Sequence, residues 1–415
     1  MTWGQSLAPL RRGPFAWYLA SRTVNTVGLT MASVALAFAV LDLGGSVTAL
    51  GQVLAARTIP MTVLLLFGGV LADRLPRSVV LQASNLASAG SQGATAILLL
   101  SGHAQLWMVV VLQALHGVAS GVGFPAMAGM VPTLVPREEL QRANALVSMT
   151  RGISAVVGPS VGTLVVVSVG SGWAVLVDAC AWLVAAVLLL PVSRSAARPR
   201  PSGPHESVLT ELREGWTLVS RTTWLWVVVV AFGVLNMIGA GAWLTLGPAL
   251  AEGTIGRQAW GWVLSAEAVG VLVATVVLLR VPMARPLFVG MAAVALLGVP
   301  MLLLGLAPSV VLLVVVAFVA GIGLEVFGMG WNLAMQEHVD EAQLSRAYSY
   351  DALGSLVAVP VGQMVYGPLG DRFGLAPVVA VSGGLYVLIA LGVLLSRSVR
   401  TLPRRATAPE AVAAT

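Results

Sequence analysis

The chain has 415 residues, 58% of them hydrophobic and 10% charged, against roughly 25% charged in a soluble globular domain. That composition excludes an ordinary water-soluble enzyme or binding module. A net charge of +6 would suggest nucleic acid in a soluble protein, but the positive residues follow the apolar segments instead. Runs of about 20 apolar residues, each able to cross roughly 30 Å of hydrocarbon, recur from end to end. They lie near 16–41, 47–71, 79–101, 105–131, 140–168, 172–191, 224–250, 258–280, 286–306, 309–336, 343–367 and 375–396. Backbone groups in lipid must satisfy one another, so these runs read as twelve transmembrane helices of an all-α membrane protein.

The first run follows Arg11 and Arg12, and its length exceeds a signal-peptide core, so it reads as an uncleaved span. All 23 basic residues are arginine. Outside the spans they fall on one side of the pattern, apart from Arg257 and Arg372, so the positive-inside rule places both termini and the central linker in the cytoplasm. The expected partner is the lipid bilayer, not nucleic acid. Without a lysine the chain has no P-loop lysine, which excludes an ATP-driven pump. His103, His116, His205 and His338 are scattered and Cys180 stands alone, so neither a metal site nor an enzyme is expected.

Between the second and third spans lies Gly69-Val70-Leu71-Ala72-Asp73-Arg74-Leu75-Pro76-Arg77. The glycine permits a tight helix exit, and Asp73 can accept hydrogen bonds at a neighbouring helix N-terminus. This segment resembles the loop signature of the major facilitator superfamily, although Pro76 and Ser78 depart from its usual pattern. The resemblance implies two pseudo-symmetric six-helix bundles, with Gly69, Asp73, Arg74 and Arg77 acting as a latch between them. The corresponding loop of the second half, Arg280 to Arg285, lacks the aspartate. In the fourth span Gln113 stands where exporters of the superfamily carry an arginine, with His116 before Gly117. In the fifth, Gly158-Pro159-Ser160-Val161-Gly162 resembles the superfamily's antiporter motif, in which small residues allow close helix approach and the proline bends the helix.

A Ser-, Pro- and Arg-rich stretch at 192–222 divides the chain into a first bundle at 1–191 and a second at 223–397, with a disordered tail at 398–415. Within the linker, Val208, Leu209, Leu212, Trp216 and Val219 have the spacing of an interfacial amphipathic helix. The segment Val135 to Ala143 shares Val, Leu, Arg and Ala with Val339 to Ala347 at an offset of 204 residues, the kind of internal repeat from which transporters are built. Gly321 to Phe327, Trp331, Gln336, Ser349-Tyr350-Asp351 and Pro360-Val361-Gly362 resemble the tenth and eleventh spans of bacterial drug and siderophore exporters. The enterobactin exporter and macrolide efflux proteins belong to that group.

Ionisable residues inside spans are costly and usually face a cavity or a partner. Arg22, Arg57 and Arg151 stand against Asp178, Glu267, Glu325 and Asp351, so at least one acid is expected to lack a cation. Asp351 and Glu325, then Glu267, are the expected proton-coupling acids, while Asp178 is read as solvated near the outer face. Polar or aromatic groups within spans nominate a cavity lined by Asn25, Gln113, Asn236, Trp243, Asn332 and Gln363. The apolar surroundings imply a lipophilic or amphipathic substrate, cationic if an acid faces it. The expected protein is a monomeric transporter of the bacterial plasma membrane that uses the proton gradient, without a cofactor, to export a small molecule. Proton-driven uptake is the alternative direction.

Overall fold

The computed structural model describes residues 8–67, 76–128, 130–195, 217–278, 280–281 and 283–403. Twelve long helices run through them: α1 (Gly13–Asp42), α2 (Val47–Phe67), α3 (Arg77–Leu100), α4 (Leu106–Ala128), α5 (Leu140–Val169), α6 (Ser171–Ser195), α7 (Thr223–Thr254), α8 (Arg257–Leu278), α9 (Pro286–Leu306), α10 (Val310–His338), α11 (Glu341–Phe373) and α12 (Leu375–Leu395). Eleven are long and apolar enough to cross a membrane. The exception is α3, whose Ser78, Ser84, Asn85, Ser88, Ser91, Gln92 and Thr95 fall on one helical face and are all buried. Its apolar Val79, Leu86 and Ile97 are exposed. The polar stripe thus turns inward and the apolar stripe outward, the reverse of a helix on a soluble protein.

The helices pack as two bundles of six. In the first, α1 packs on α5 and α6, α2 on α4, and α3 on α4 and α6. In the second, α7 packs on α11, α8 on α10, and α9 on α10 and α12. The bundles meet along two seams, α2 against α11 and α5 against α8, which exchange under the same pseudo-symmetry. The 204-residue repeat extends well beyond the loops in which it is visible. A single glycine joins α5 to α6 and another joins α11 to α12: Gly170 at φ 103° and Gly374 at φ 86°, backbone values that L side chains rarely adopt. They stand 204 residues apart, as do Gly158, packed on Thr30 of α1, and Gly362, packed on the Met237 carbonyl of α7.

Among the described residues two helices change winding in mid-course: α9 tightens to a 3-10 turn at Ala295–Leu297, and α7 widens. Residues Gly239–Leu246 of α7 form a π-helical segment, a form often found at functional sites. The run Gly-Ala-Gly-Ala has little side chain to resist rewinding, and Gly241 receives the Tyr366 ring where a Cβ would clash. The Thr245 hydroxyl donates to the Ala240 carbonyl at 2.8 Å, closing the wider turn.

Of the linker expected to carry an amphipathic helix, Val208, Leu209, Leu212 and Trp216 lie outside the described residues, and Val219 is buried. Past the twelfth helix, a short turn at Arg397–Arg400 buries Val399.

Candidate functional site

A cavity of about 930 Å³ lies between the bundles, walled by α1, α2, α3, α4 and α6 on one side and α7, α8 and α11 on the other. Its wall reaches Tyr18 and Met127, near the face that carries the termini. There the Tyr18 hydroxyl donates to the Met127 carbonyl at 3.1 Å.

On the opposite, far face the bundles are tied together. The Arg257 guanidinium, at the start of α8, donates to Asp42 at the end of α1 at 2.5 Å, and to its own bundle's Glu252 at 3.0 Å. Arg257 also lies over the Phe38 ring, 4.8 Å from its centroid. Asp42 is held from the other side by the Ser171 hydroxyl at 2.7 Å. Beside this cluster the Thr48 hydroxyl donates to Asp371 at 2.6 Å, joining α2 to α11. Deeper in the α5–α8 seam, Ser160 and Ser265 are bonded at 2.7 Å, and Gly261 receives the Thr163 side chain.

The expected site residues separate into three groups. Arg22, Arg57, Asn25, Asp351 and Gln363 all line the cavity. The Arg22 guanidinium meets the Met127 thioether, and no carboxylate of a described residue lies within 4 Å of Arg22 or Arg57. A second group is turned away from the cavity. Gln113 is fully buried in the first bundle and donates to Gln92 at 2.8 Å, and Gln92 donates to Asp178 at 2.6 Å. Asp178 is therefore not solvated: it is 0% exposed, because α6 sits between α1 and α3 and turns this side chain inward. Gly28 of α1 leaves the room for it, since a Cβ there would come within 2.9 Å of Asp178 Oδ1. His116 packs edge-on to Trp182 of the cavity wall, with ring centroids 5.3 Å apart.

Trp243 also points into its own bundle, where the π-helical turn delivers its indole N–H to Glu267 of α8 at 3.2 Å. Asp351 is held in the same way, by the indole N–H of Trp331 at 3.1 Å. Trp331 belongs to an aromatic column in which Phe327 stacks on Phe232 at 4.4 Å and Trp224 packs edge-on to Trp331 at 5.9 Å. The third group comprises residues the structure does not gather. Arg151 is exposed on α5, Asn236 and Glu325 are half-buried away from the cavity, and Asn332 is exposed, bonded to the Gly328 carbonyl and the Tyr348 hydroxyl. Gly69, Asp73 and Arg74 lie outside the described residues, while Arg77 opens α3 behind Pro76. Of the antiporter-like motif, Gly158 and Gly162 seat α5 on Thr30 and Met31 of α1, and Pro159 lies between them, buried within α5.

Sequence reasoning did not single out Trp260, Asn85 and Trp182 on the cavity wall or the Arg257 cluster on the far face. For the cluster a signal was available. Arg257 and Arg372 break the one-sided arginine pattern, and Asp42, Glu252 and Asp371 stand at neighbouring span ends.

Residues 19–359 match the model of the Major Facilitator Superfamily. The chain is 27% identical over 425 aligned positions to the enterobactin exporter EntS of Shigella boydii, covering 99% of this chain and 98% of that protein. It is 28% identical to the multidrug efflux pump Tap of Mycolicibacterium fortuitum, covering 93% and 97%. Among solved structures, a peptide transporter POT in complex with sulfate superposes with a TM-score of 0.73 at 14% identity, covering 94% of this chain and 96% of that one. The nucleoside transporter NupG superposes at 0.71 and 13%, covering 92% and 98%.

Proposed function

The chain belongs to the Major Facilitator Superfamily and is an integral membrane transporter, and on that premise we propose that it exports a small lipophilic or amphipathic compound in exchange for protons. The observation that carries this reading is the cavity between the bundles, with charged side chains on both walls and cross-bundle bonds on the far face. The face bearing the termini is the cytoplasmic one, by the distribution of arginines, so cargo enters from the cytoplasm. The bundles then rock about the α2–α11 and α5–α8 seams to open the far side. The exporters among its relatives support the outward direction.

The coupling ion is taken up by the acids of the second bundle. Glu267 and Asp351 have no cation of a described residue within 4 Å, so either can accept a proton without breaking an ion pair. Among the described residues each accepts one indole N–H, which can follow the carboxyl through both states. The protein works as a monomer in the bacterial plasma membrane and needs no cofactor besides the proton gradient.

Everted membrane vesicles, energised so that their interior acidifies, test this with a dye that reports lumenal pH. Addition of drugs, antibiotics or siderophores is expected to discharge part of the gradient only where the protein is present. Accumulation in right-side-out vesicles, with no discharge in everted ones, would overturn export in favour of uptake.

A further inference from the structure

We infer that the first bundle's wall of the cavity is an anion-binding face, and that the cargo is an amphipathic organic acid whose charged group is held by Arg22 and Arg57. This inference rests on the reading of the cavity as the transport site. Both arginines lie on the cavity wall and are half-buried. The three ion pairs among the described residues are elsewhere: Arg12 with Glu139, and Arg257 with Asp42 and with Glu252. A guanidinium within a membrane is expensive unless a counter-charge or a polar cavity meets it. The thioether that Arg22 touches is a weak acceptor and carries no charge.

Four acids within the spans could in principle supply that counter-charge, and Glu325 is off the cavity wall. Asp178 is buried behind the wall, with one carboxylate oxygen bonded to Gln92 and the other without a hydrogen-bond partner among the described residues. Its charge is felt at Arg57, but the two make no ion pair within 4 Å, and no acid of a described residue makes one with Arg22. Glu267 faces Trp243 inside the second bundle. Asp351 lines the cavity, but it stands on the opposite wall and is held by Trp331. Among the described residues, two cations therefore face the cavity from one bundle, against one acid from the other.

The surroundings are those of a site for a planar anion. Asn25 and Asn85 add amide donors on the arginine side, and a guanidinium fork matches a carboxylate, sulfonate or phosphate with two parallel N–H bonds. Facing them, Leu264, Leu356 and Val359 offer an apolar wall for the rest of the molecule. A cationic cargo would have to sit beside two arginines that make no ion pair with a described residue, in a medium of low dielectric where like charges repel strongly.

The test is equilibrium dialysis of the purified full-length protein against 1-naphthylacetate, its neutral amide and 1-naphthylmethylamine, which share one apolar body and differ in charge. A charge-assisted bond predicts that the acid binds about tenfold tighter or more than the amide, with the amine weaker still. Arg57→Gln and Arg22→Gln should each bring the acid towards the amide, while Arg57→Lys keeps part of the preference and serves where the glutamine variant fails to fold. Equal binding of acid and amide, absent binding of the acid, or a preference that survives in the double glutamine variant would overturn the proposal. Dialysis needs neither gradient nor direction, so its failure is distinguishable from failure of the vesicle experiment.

Discussion

The two bundles make the same backbone joint and place opposite charges on it. Gly117 of α4 packs against the Arg57 carbonyl of α2, and Gly321 of α10 packs against the Glu267 carbonyl of α8. The two glycines are 204 residues apart, like the repeat in the loops. At this shared joint the first bundle carries an arginine that faces the cavity, and the second carries a glutamate turned towards an indole in its own interior. Asp351 extends the contrast, as an acid of the second bundle again held by a tryptophan. In the proposed mechanism the halves divide the work. The first bundle recognises the cargo's charge and the second carries the proton, so neither function has to be built into both copies of an inherited fold.

The largest effect expected from breaking this division is at the acids. Asp351→Asn and Glu267→Gln should each reduce gradient-driven transport to background while leaving cargo exchange across the membrane intact. Glu325→Gln should be close to silent, because Glu325 is off the cavity wall and makes no hydrogen bond or ion pair with a described residue. Counterflow in proteoliposomes, compared with gradient-driven uptake into the same vesicles, separates the two activities. Loss of both together at Asp351 would make it a cargo residue and undo the division.

A smaller effect is expected at the far-face tie. Arg257→Gln removes a guanidinium that bonds one acid in each bundle. Partly exposed pairs of this kind contribute about 0.2–1 kcal/mol each, so the outward-open population should rise only a few-fold. Labelling of Gln363→Cys in a Cys180→Ser background, by an impermeant maleimide added from outside, reads that population directly. Asp42→Asn should shift it in the same direction, and unchanged labelling in both would show that the seams alone hold the far side shut.

Much of the fold was legible because lipid imposes a crude filter. Bilayer-length apolar runs, an arginine distribution with two exceptions and a repeat offset of half the chain are all one-dimensional signals. Even α3, which falls short of the hydropathy of a membrane span, was legible as the apolar run at 79–101. The site was less legible, because its members differ from their neighbours only in helical phase. Asn25 and Gln113 are both amides in apolar helices, yet one lines the cavity and the other is sealed behind it in the chain to Asp178. Arg57 and Arg151 looked alike as intramembrane cations, but Arg151 is exposed on α5. Trp243 was expected to line the cavity and is instead turned onto Glu267 by a π-helical turn that apolar periodicity does not reveal.

The smallest expected effect tests whether the charge asymmetry between the bundles extends beyond the cavity. In the first bundle Arg12 forms two bonds to Glu139, at 2.8 and 2.9 Å, fastening the start of α1 to the turn before α5. The position 204 residues after Glu139 is Gln343, so the second bundle carries no acid there. The Arg12 guanidinium holds the Glu139 carboxyl below its ordinary value of 4.5. A carboxyl shifted down in the folded state adds stability that is fully present above its unfolded value and is lost as pH falls through the folded one. Arg12→Gln should therefore lower the thermal midpoint slightly at pH 7, and the gap from the parent should close as the pH is taken below about 4.5. Because the pair is exposed, the shift is expected to be small and to shrink in high salt. A gap that stayed constant with pH would assign the contribution of Arg12 to packing, and the charged fastening of the first bundle would then end at the cavity.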